Sequence, residues 1–153
     1  MKNSKRSLQI EQLDKKIKTF KKLEHLTPSH GWVYAVRTSL GISLEQLGRK
    51  MGITAQSVRE LEQREKNSSI SLKSLDEAAR GLGLKLTYGF SAPDKNLNEM
   101  IKLRANKMAE KIVSRTHKTM QLENQANSRA RIRKAIREKA AEIADKNTKY
   151  LWD

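Results

Sequence analysis

TSLGISLEQLGRKMGITAQSVRELEQREK, residues 38 to 66, is the stretch whose reading decides the fold. Ser43 is placed to N-cap a helix running to about Met51, with Leu44, Leu47 and Met51 turned inward. Gly52 tolerates the left-handed backbone that ends such a helix in a tight turn. Ile53 is expected to plug the core behind the turn, and Thr54 to N-cap a second helix that buries Val58 and Leu61. Ala55, Gln56, Ser57, Arg59, Glu60 and Gln63 then fall on the open side of that helix. Two helices joined by so short a glycine turn form the unit that lays its second helix in the DNA major groove.

Outward from this pair, Thr27-Pro28 is expected to open the domain, with Thr at the N-cap and Pro in the first helical turn. At the other end LKLTYGF, residues 84 to 90, reads as a short strand with Leu84, Leu86 and Tyr88 on one face. Ser91-Ala92-Pro93-Asp94 is a turn and marks a boundary. Three regions follow: a basic N-terminal helix over 1–26, a helix-turn-helix domain over 27–91, and a helical region over 92–153. The first carries Leu13, Ile17, Phe20 and Leu23 as an apolar stripe after a Ser7 N-cap, ringed by lysines. The last begins with a long helix whose stripe is Leu97, Ile101, Ala105, Met108, Ile112, Thr116 and Thr119/Met120. A second helix from about Arg129 carries Ile132, Ile136, Ala140 and Ile143, and the aromatics of YLWD, residues 150 to 153, suggest a docked end.

Charge narrows the partner. Lys and Arg number 32 against 17 Asp and Glu, a formal net charge of +15, which favours polyanions through counterion release. The excess is +5 over residues 1–26, +3 over 27–91 and +7 over 92–153, so the flanks are more basic than the middle. Cysteine is absent, which excludes disulfides and thiolate metal sites and fits a reducing, cytoplasmic setting. The N-terminal residues lack the apolar run of a signal peptide, and no window approaches the ~18 apolar residues of a membrane span. His25, His30 and His117 have neither metal-ligand spacing nor a paired nucleophile, and no glycine-rich phosphate loop occurs. A non-catalytic protein without cofactor or metal is expected.

The chemistry of the open face suits double-stranded operator DNA. Gln56 matches adenine N6/N7, Arg59 matches guanine O6/N7, and Ser57 can serve either, with Thr54, Ala55 and Gln63 beside them. Arg49, Lys50, Arg64 and Lys66, together with the helix end at Ser43, suit phosphates.

Residues 36 to 83 resemble the Xre/Cro-type helix-turn-helix family of phage-repressor-like DNA-binding domains. The resemblance rests on RTSLGISLEQLG (37–48), MGIT (51–54), VRELE (58–62) and SLKSLDEAARGLGL (71–84). Leu44 stands where the family often has Gln, and Arg64 where it often has Gly. The resemblance implies a five-helix-type domain; with the short strand and the C-terminal helical extension read from the spacing above, the chain is expected to be mainly α. The resemblance also implies half-site recognition as a homodimer on DNA.

A second resemblance concerns TMQLEN, residues 119 to 124, which is similar to the (S/T)xxxE(G/N) inhibitory helix of antitoxins and autoinhibited members of the Fic family. Thr119 and Glu123 are one helical turn apart, and Asn124 tolerates a helix-ending left-handed conformation. With THKTMQLENQ (116–125) and YLWD, the whole chain resembles the mobile mystery protein A family, helix-turn-helix proteins found beside Fic-domain proteins. The resemblance implies an antitoxin that represses its own operon. Its Glu123 would occupy the arginine by which a Fic-domain AMP-transferase holds the ATP γ-phosphate, with Thr119, Met120, Leu122 and Asn124 around it. The alternative is a DNA-only regulator whose C-terminal helices dimerise.

Overall fold

A computed structural model describes residues 2–120, 128–146 and 148–153. Among the described residues the chain is all-α. The helices are Lys2–Lys21 (α1), Trp32–Ser39 (α2), Leu44–Met51 (α3), Ala55–Lys66 (α4), Leu72–Gly81 (α5), Leu97–Met120 (α6) and Ser128–Lys146 (α7), followed by a 3-10 turn over Thr148–Trp152. They form two units. One is Lys22–Phe90; the other joins the N-terminal segment through Lys21 to the segment from Ser91 onward.

The 22–90 unit closes around Val33, Leu47, Val58, Leu61, Ala78 and Leu82, with Val36, Ile42, Leu44, Met51, Ile70 and Leu75 half-buried against them. Every one of α2 to α5 contributes, because each has an apolar face set by three- and four-residue spacing. Three of the four helices open on a hydroxyl cap: Ser43, Thr54 and Ser71 each accept from a backbone N–H three residues on. Gly52 ends α3 at φ 70°, ψ 29°, the left-handed cap expected of it.

Several expectations are corrected here. Thr27-Pro28 opens a turn closed by Gly31 N donating to Pro28 O, and the helix starts only at Trp32. Ile53 does not plug the core, since 37% of its surface stays exposed. Residues 84–90 form neither helix nor strand. A lone extended segment has no ladder without a partner strand, and the rest of the described chain is helical or turn. Tyr88 and Phe90 accordingly stay exposed.

In the second unit, α6 and α7 pack through Ala105, Ala109, Ala140 and Ile143, with Leu151 sealing the end. Alanines at the contact let the two backbones approach closely. Ala109 and Val113 continue the stripe where Ile112 was expected; Ile112 is exposed. The end does dock, but through Leu151, while Tyr150 and Trp152 remain half in solvent. Arg104 holds it by donating to Leu151 O at 3.0 Å, with its guanidinium 4.6 Å from the Trp152 ring.

Ser7 lies inside α1 and caps nothing, because the helix begins five residues earlier. Leu13 and Leu23 are exposed, and the inward stripe is Arg6, Ile10, Asp14, Ile17 and Phe20. Two of its members are polar for a reason. Arg6 donates to Ala144 O, Asp145 O and Thr148 Oγ1, satisfying the open carbonyls at the end of α7. Asp14 accepts from Leu97 N at 2.7 Å and Asn98 N at 3.4 Å, capping α6 from outside.

Candidate nucleic-acid interface

The α3–α4 pair owes its geometry to two glycines. Gly52 makes the turn, and Gly48 lets α4 start close against α3. A Cβ at position 48 would lie 2.6 Å from Ile53 O and 3.2 Å from the Thr54 carbonyl carbon. Ile53 N donates to Gly48 O at 2.9 Å, so the turn is bonded at that same residue. Sequence reading picked out Gly52 and missed Gly48, whose only signal was a glycine in mid-helix.

Around the turn the caps are complete. Ser43 Oγ accepts from Gln46 N at 3.1 Å while Gln46 Oε1 accepts from Ser43 N at 2.7 Å, a reciprocal capping box. Thr54 Oγ1 accepts from Ser57 N at 3.0 Å and lies 2.9 Å from Ser57 Oγ. Ser57 and Thr54 therefore spend part of their hydrogen-bonding capacity on the helix start.

Past that start, α4 presents Gln56, Arg59, Glu60 and Gln63 exposed on one face, with Ala55 and Ser57 half-buried at its beginning. Their spacing of three, four and seven puts them on successive turns, and twelve residues span about 18 Å. The exposed row is therefore compatible with a groove about 12 Å wide. Gln56 Nε2 donates to Glu60 Oε1 at 3.3 Å, which steadies the amide on the helix surface. Arg49 and Lys50 stand exposed in the last turn of α3, and Arg64 and Lys66 in the last turn of α4. All the residues expected to meet DNA thus lie on the α3–α4 pair.

Glu45, in the first turn of α3, titrates below the usual carboxylate range. Its own backbone N–H is the largest cause, followed by the Ser43 hydroxyl and the charges of Arg49 and Arg59.

What fixes α4 in place is a pair of carboxylates on its buried side. Glu62 is 8% exposed and takes two bonds from Arg37 of α2, Nε at 2.5 Å and Nη2 at 3.2 Å. Arg37 Nη1 also donates to Ile42 O at 3.0 Å, so one guanidinium ties α2, α4 and the loop before α3. The hydrogen bond that Arg37 donates to Glu62 is the first cause raising the Arg37 pKa, against the opposing effect of burial.

One turn further, the Glu65 carboxylate accepts from Trp32 N at 2.7 Å and Val33 N at 2.9 Å. It supplies the N-cap of α2 that Gly31, at φ 88°, has no side chain to give. Arg37, Glu62 and Glu65 were not singled out in the sequence. The legible signal was that 58, 61, 62 and 65 share one helical face, which puts two carboxylates among buried positions.

Thr119 and Met120 end α6, while Leu122, Glu123 and Asn124 lie outside the described residues. No described helix is long and apolar enough to cross a membrane.

A cleft of about 760 Å³ lies within the other unit between α1, α6 and α7. Its lining sets six cations, Lys15, Lys18, Lys21, Lys95, Lys102 and Arg6, against five acids, Glu11, Asp14, Asp94, Glu99 and Asp145, so the near-balance of charge selects no ligand.

Residues 33–89 match a family model described as Helix-turn-helix. No curated protein and no solved structure gives a significant match to the chain.

Proposed function

We propose, from the helix-turn-helix domain at residues 33–89, that the chain is a sequence-specific regulator of transcription of the Xre type that binds double-stranded operator DNA. The observation that carries this reading is the exposed row of Gln56, Arg59 and Gln63 on a helix clamped from behind by Arg37–Glu62 and Glu65. A recognition helix must present polar side chains to base edges while its own position is fixed. Arg49, Lys50, Arg64 and Lys66 flank that row and serve the phosphates. Two copies read two half-sites, as such domains commonly do. The chain acts without catalysis or cofactor.

The test separates base from backbone contacts. A bidentate arginine–guanine contact is worth about 1–3 kcal/mol of discrimination, so Arg59→Ala relaxes sequence preference by roughly one to two orders of magnitude. Lys50→Ala weakens all duplexes alike and lowers the salt slope by about 1. Both are measured on duplexes selected by the parent protein from a random pool. Mutants that bind those duplexes as the parent does overturn the assignment.

A second reading, antitoxin action on a Fic-domain AMP-transferase, has the TMQLEN motif as its support. In it Glu123 competes for the arginine that holds the ATP γ-phosphate. Co-expression of the chain with a Fic-domain protein encoded beside it tests this. Glu123→Gly releases AMP transfer while leaving DNA binding intact, and an inert mutant removes the reading.

A further inference from the structure

The first half of α7 carries Arg129, Arg131, Arg133, Lys134 and Arg137 and no carboxylate at all between residues 128 and 137. All five cations are exposed. In the second half of α7 exposed charge is interleaved, and Lys139 pairs with Glu142. Of the five, only Lys134 meets a carboxylate among the described residues, Glu138 at a loose 3.9 Å. Arg133 Nε turns instead to Arg129 O at 3.4 Å.

Two costs attach to this arrangement. Arg129, Arg133 and Arg137 are like charges at four-residue steps, a repulsive spacing on a helix. The cations also crowd the positive end of the helix dipole, where acidic residues belong and none is found in the first turn. Packing does not require them there. The inward side of α7 is Ile132, Ile136, Ala140 and Ile143, and the five cations lie on the remaining surface.

The neighbouring helix adds to the same field. Ala105 and Ala109 of α6 pack with Ala140 and Ile143 of α7. Each pair lies about eleven to fifteen residues from the α6 end at Met120 or the α7 start at Ser128, the spacing of two helices that run back along one another. Residues 107–115 of α6 bring Lys107, Lys111 and Arg115 with Glu110 as the acid among them.

We propose that the first half of α7 is a second DNA-binding surface, which neutralises duplex phosphates outside the bases read by α4. The proposal rests on the DNA-binding reading of the helix-turn-helix domain. The occupant is double-stranded DNA because the chemistry is polyanionic and because the same chain already holds such a duplex. The chain passes between the two units twice, at residues 21/22 and 90/91, so a duplex held by one unit is at high effective concentration for the other. Ten residues of helix, about 15 Å long, set five cations against a polymer offering one charge every ~1.7 Å. An anion there relieves both the like-charge repulsion and the opposed dipole.

The experiment compares the full-length parent with the triple variant Arg131→Gln/Arg133→Gln/Arg137→Gln. Binding to a random-sequence duplex of about 30 bp, three turns of ~10 bp each, is followed by fluorescence anisotropy between about 50 and 200 mM salt. Each lost phosphate contact removes ~0.9 from the slope of log K against log salt, so three contacts remove ~2.7, and the salt-induced loss of affinity shrinks by about 40-fold. The lysine version of the triple variant keeps the parent slope, because neutralisation needs charge and not guanidinium geometry.

Thermal stability of the glutamine variant is equal to or above the parent, since the replaced cations oppose their own helix. A slope within half a unit of the parent overturns the proposal and returns the patch to an acidic protein partner. A marked fall in melting temperature overturns it too, by showing that the arginines hold the fold. A parent that prefers no sequence in the operator selection defeats the regulator reading alone; the slope on random duplex is measured independently of that outcome.

Discussion

Removing one partner of the Arg37–Glu62 pair is the sharpest test of how α4 is held. The side chains are 11% and 9% exposed, and the arginine has three protein acceptor contacts, two on Glu62 and one on Ile42 O. Glu62→Gln removes the countercharge and leaves a guanidinium largely out of water, a change that costs about 3–5 kcal/mol in buried pairs. The unit from Lys22 to Phe90 has 69 residues and, at ~0.05–0.15 kcal/mol per residue, a total stability of about 3–10 kcal/mol. The substitution therefore consumes a large share of the whole.

Trp32 and Trp152 are the two tryptophans, one in each unit, so Trp152→Phe leaves Trp32 as a fluorescent reporter of this unit alone. With a urea slope of ~2 kcal/mol/M, the midpoint falls by about 2 M. Arg37→Met combined with Glu62→Leu removes both charges and recovers most of the loss, as apolar replacements of buried pairs do. The raised pKa of Arg37 means that its side of the pair is intact below the ordinary arginine value and lost only as pH rises through the still higher folded value. Loss of less than about 1 kcal/mol in Glu62→Gln would show that the pair does not fix α4, and would refute the reasoning.

Other outcomes follow from the same geometry. Gly48→Ala gains about 1 kcal/mol of helix propensity yet places its Cβ against Ile53 O, so the unit loses stability on balance, read by the same Trp32 unfolding curve. Glu65→Ala removes the carboxylate from the start of α2 and costs about 0.5–2 kcal/mol, the usual range for losing an N-cap; faster hydrogen exchange at Trp32 and Val33, with α5 unaffected, identifies the site. Glu45 has a depressed pKa, so its stabilising effect is present above the ordinary carboxylate value and lost as pH falls through the folded value. Glu45→Gln flattens the acid side of the stability profile, and an NMR titration that finds Glu45 at or above the ordinary value contradicts the cap geometry.

The central helix pair could be read from the chain because its signals are local. Ser43, Gly52 and Thr54 act on backbone groups within a few residues, and Leu47, Val58 and Leu61 declare their faces by spacing. The misplaced features depend on groups far away in sequence. Trp32 starts a helix because Glu65, 33 residues on, caps it, and no local signal marks that position. Arg6 and Asp14 look solvated on α1, yet they face inward to serve the ends of α7 and α6. Residues 84 to 90 have the alternation of a strand, but alternation cannot report whether a second strand exists to pair with. Within the candidate site, exposed polar positions on α4 followed from helical spacing, whereas the clamp behind them required seeing which carboxylates were buried.

The caps that Arg6 and Asp14 provide also set an order of events during synthesis. Arg6 waits for a carbonyl 138 residues later, and Asp14 for an amide 83 residues later. At about 5–20 residues per second, roughly 7–28 s separate the synthesis of Arg6 from that of Ala144. The helix-turn-helix unit, uninterrupted from Lys22 to Phe90, has all its own core residues long before then. A nascent chain thus carries a finished DNA-reading head while its other unit is still half-written, and translation stalled between the two leaves Ile10, Ile17 and Phe20 uncovered as a target for chaperones and proteases.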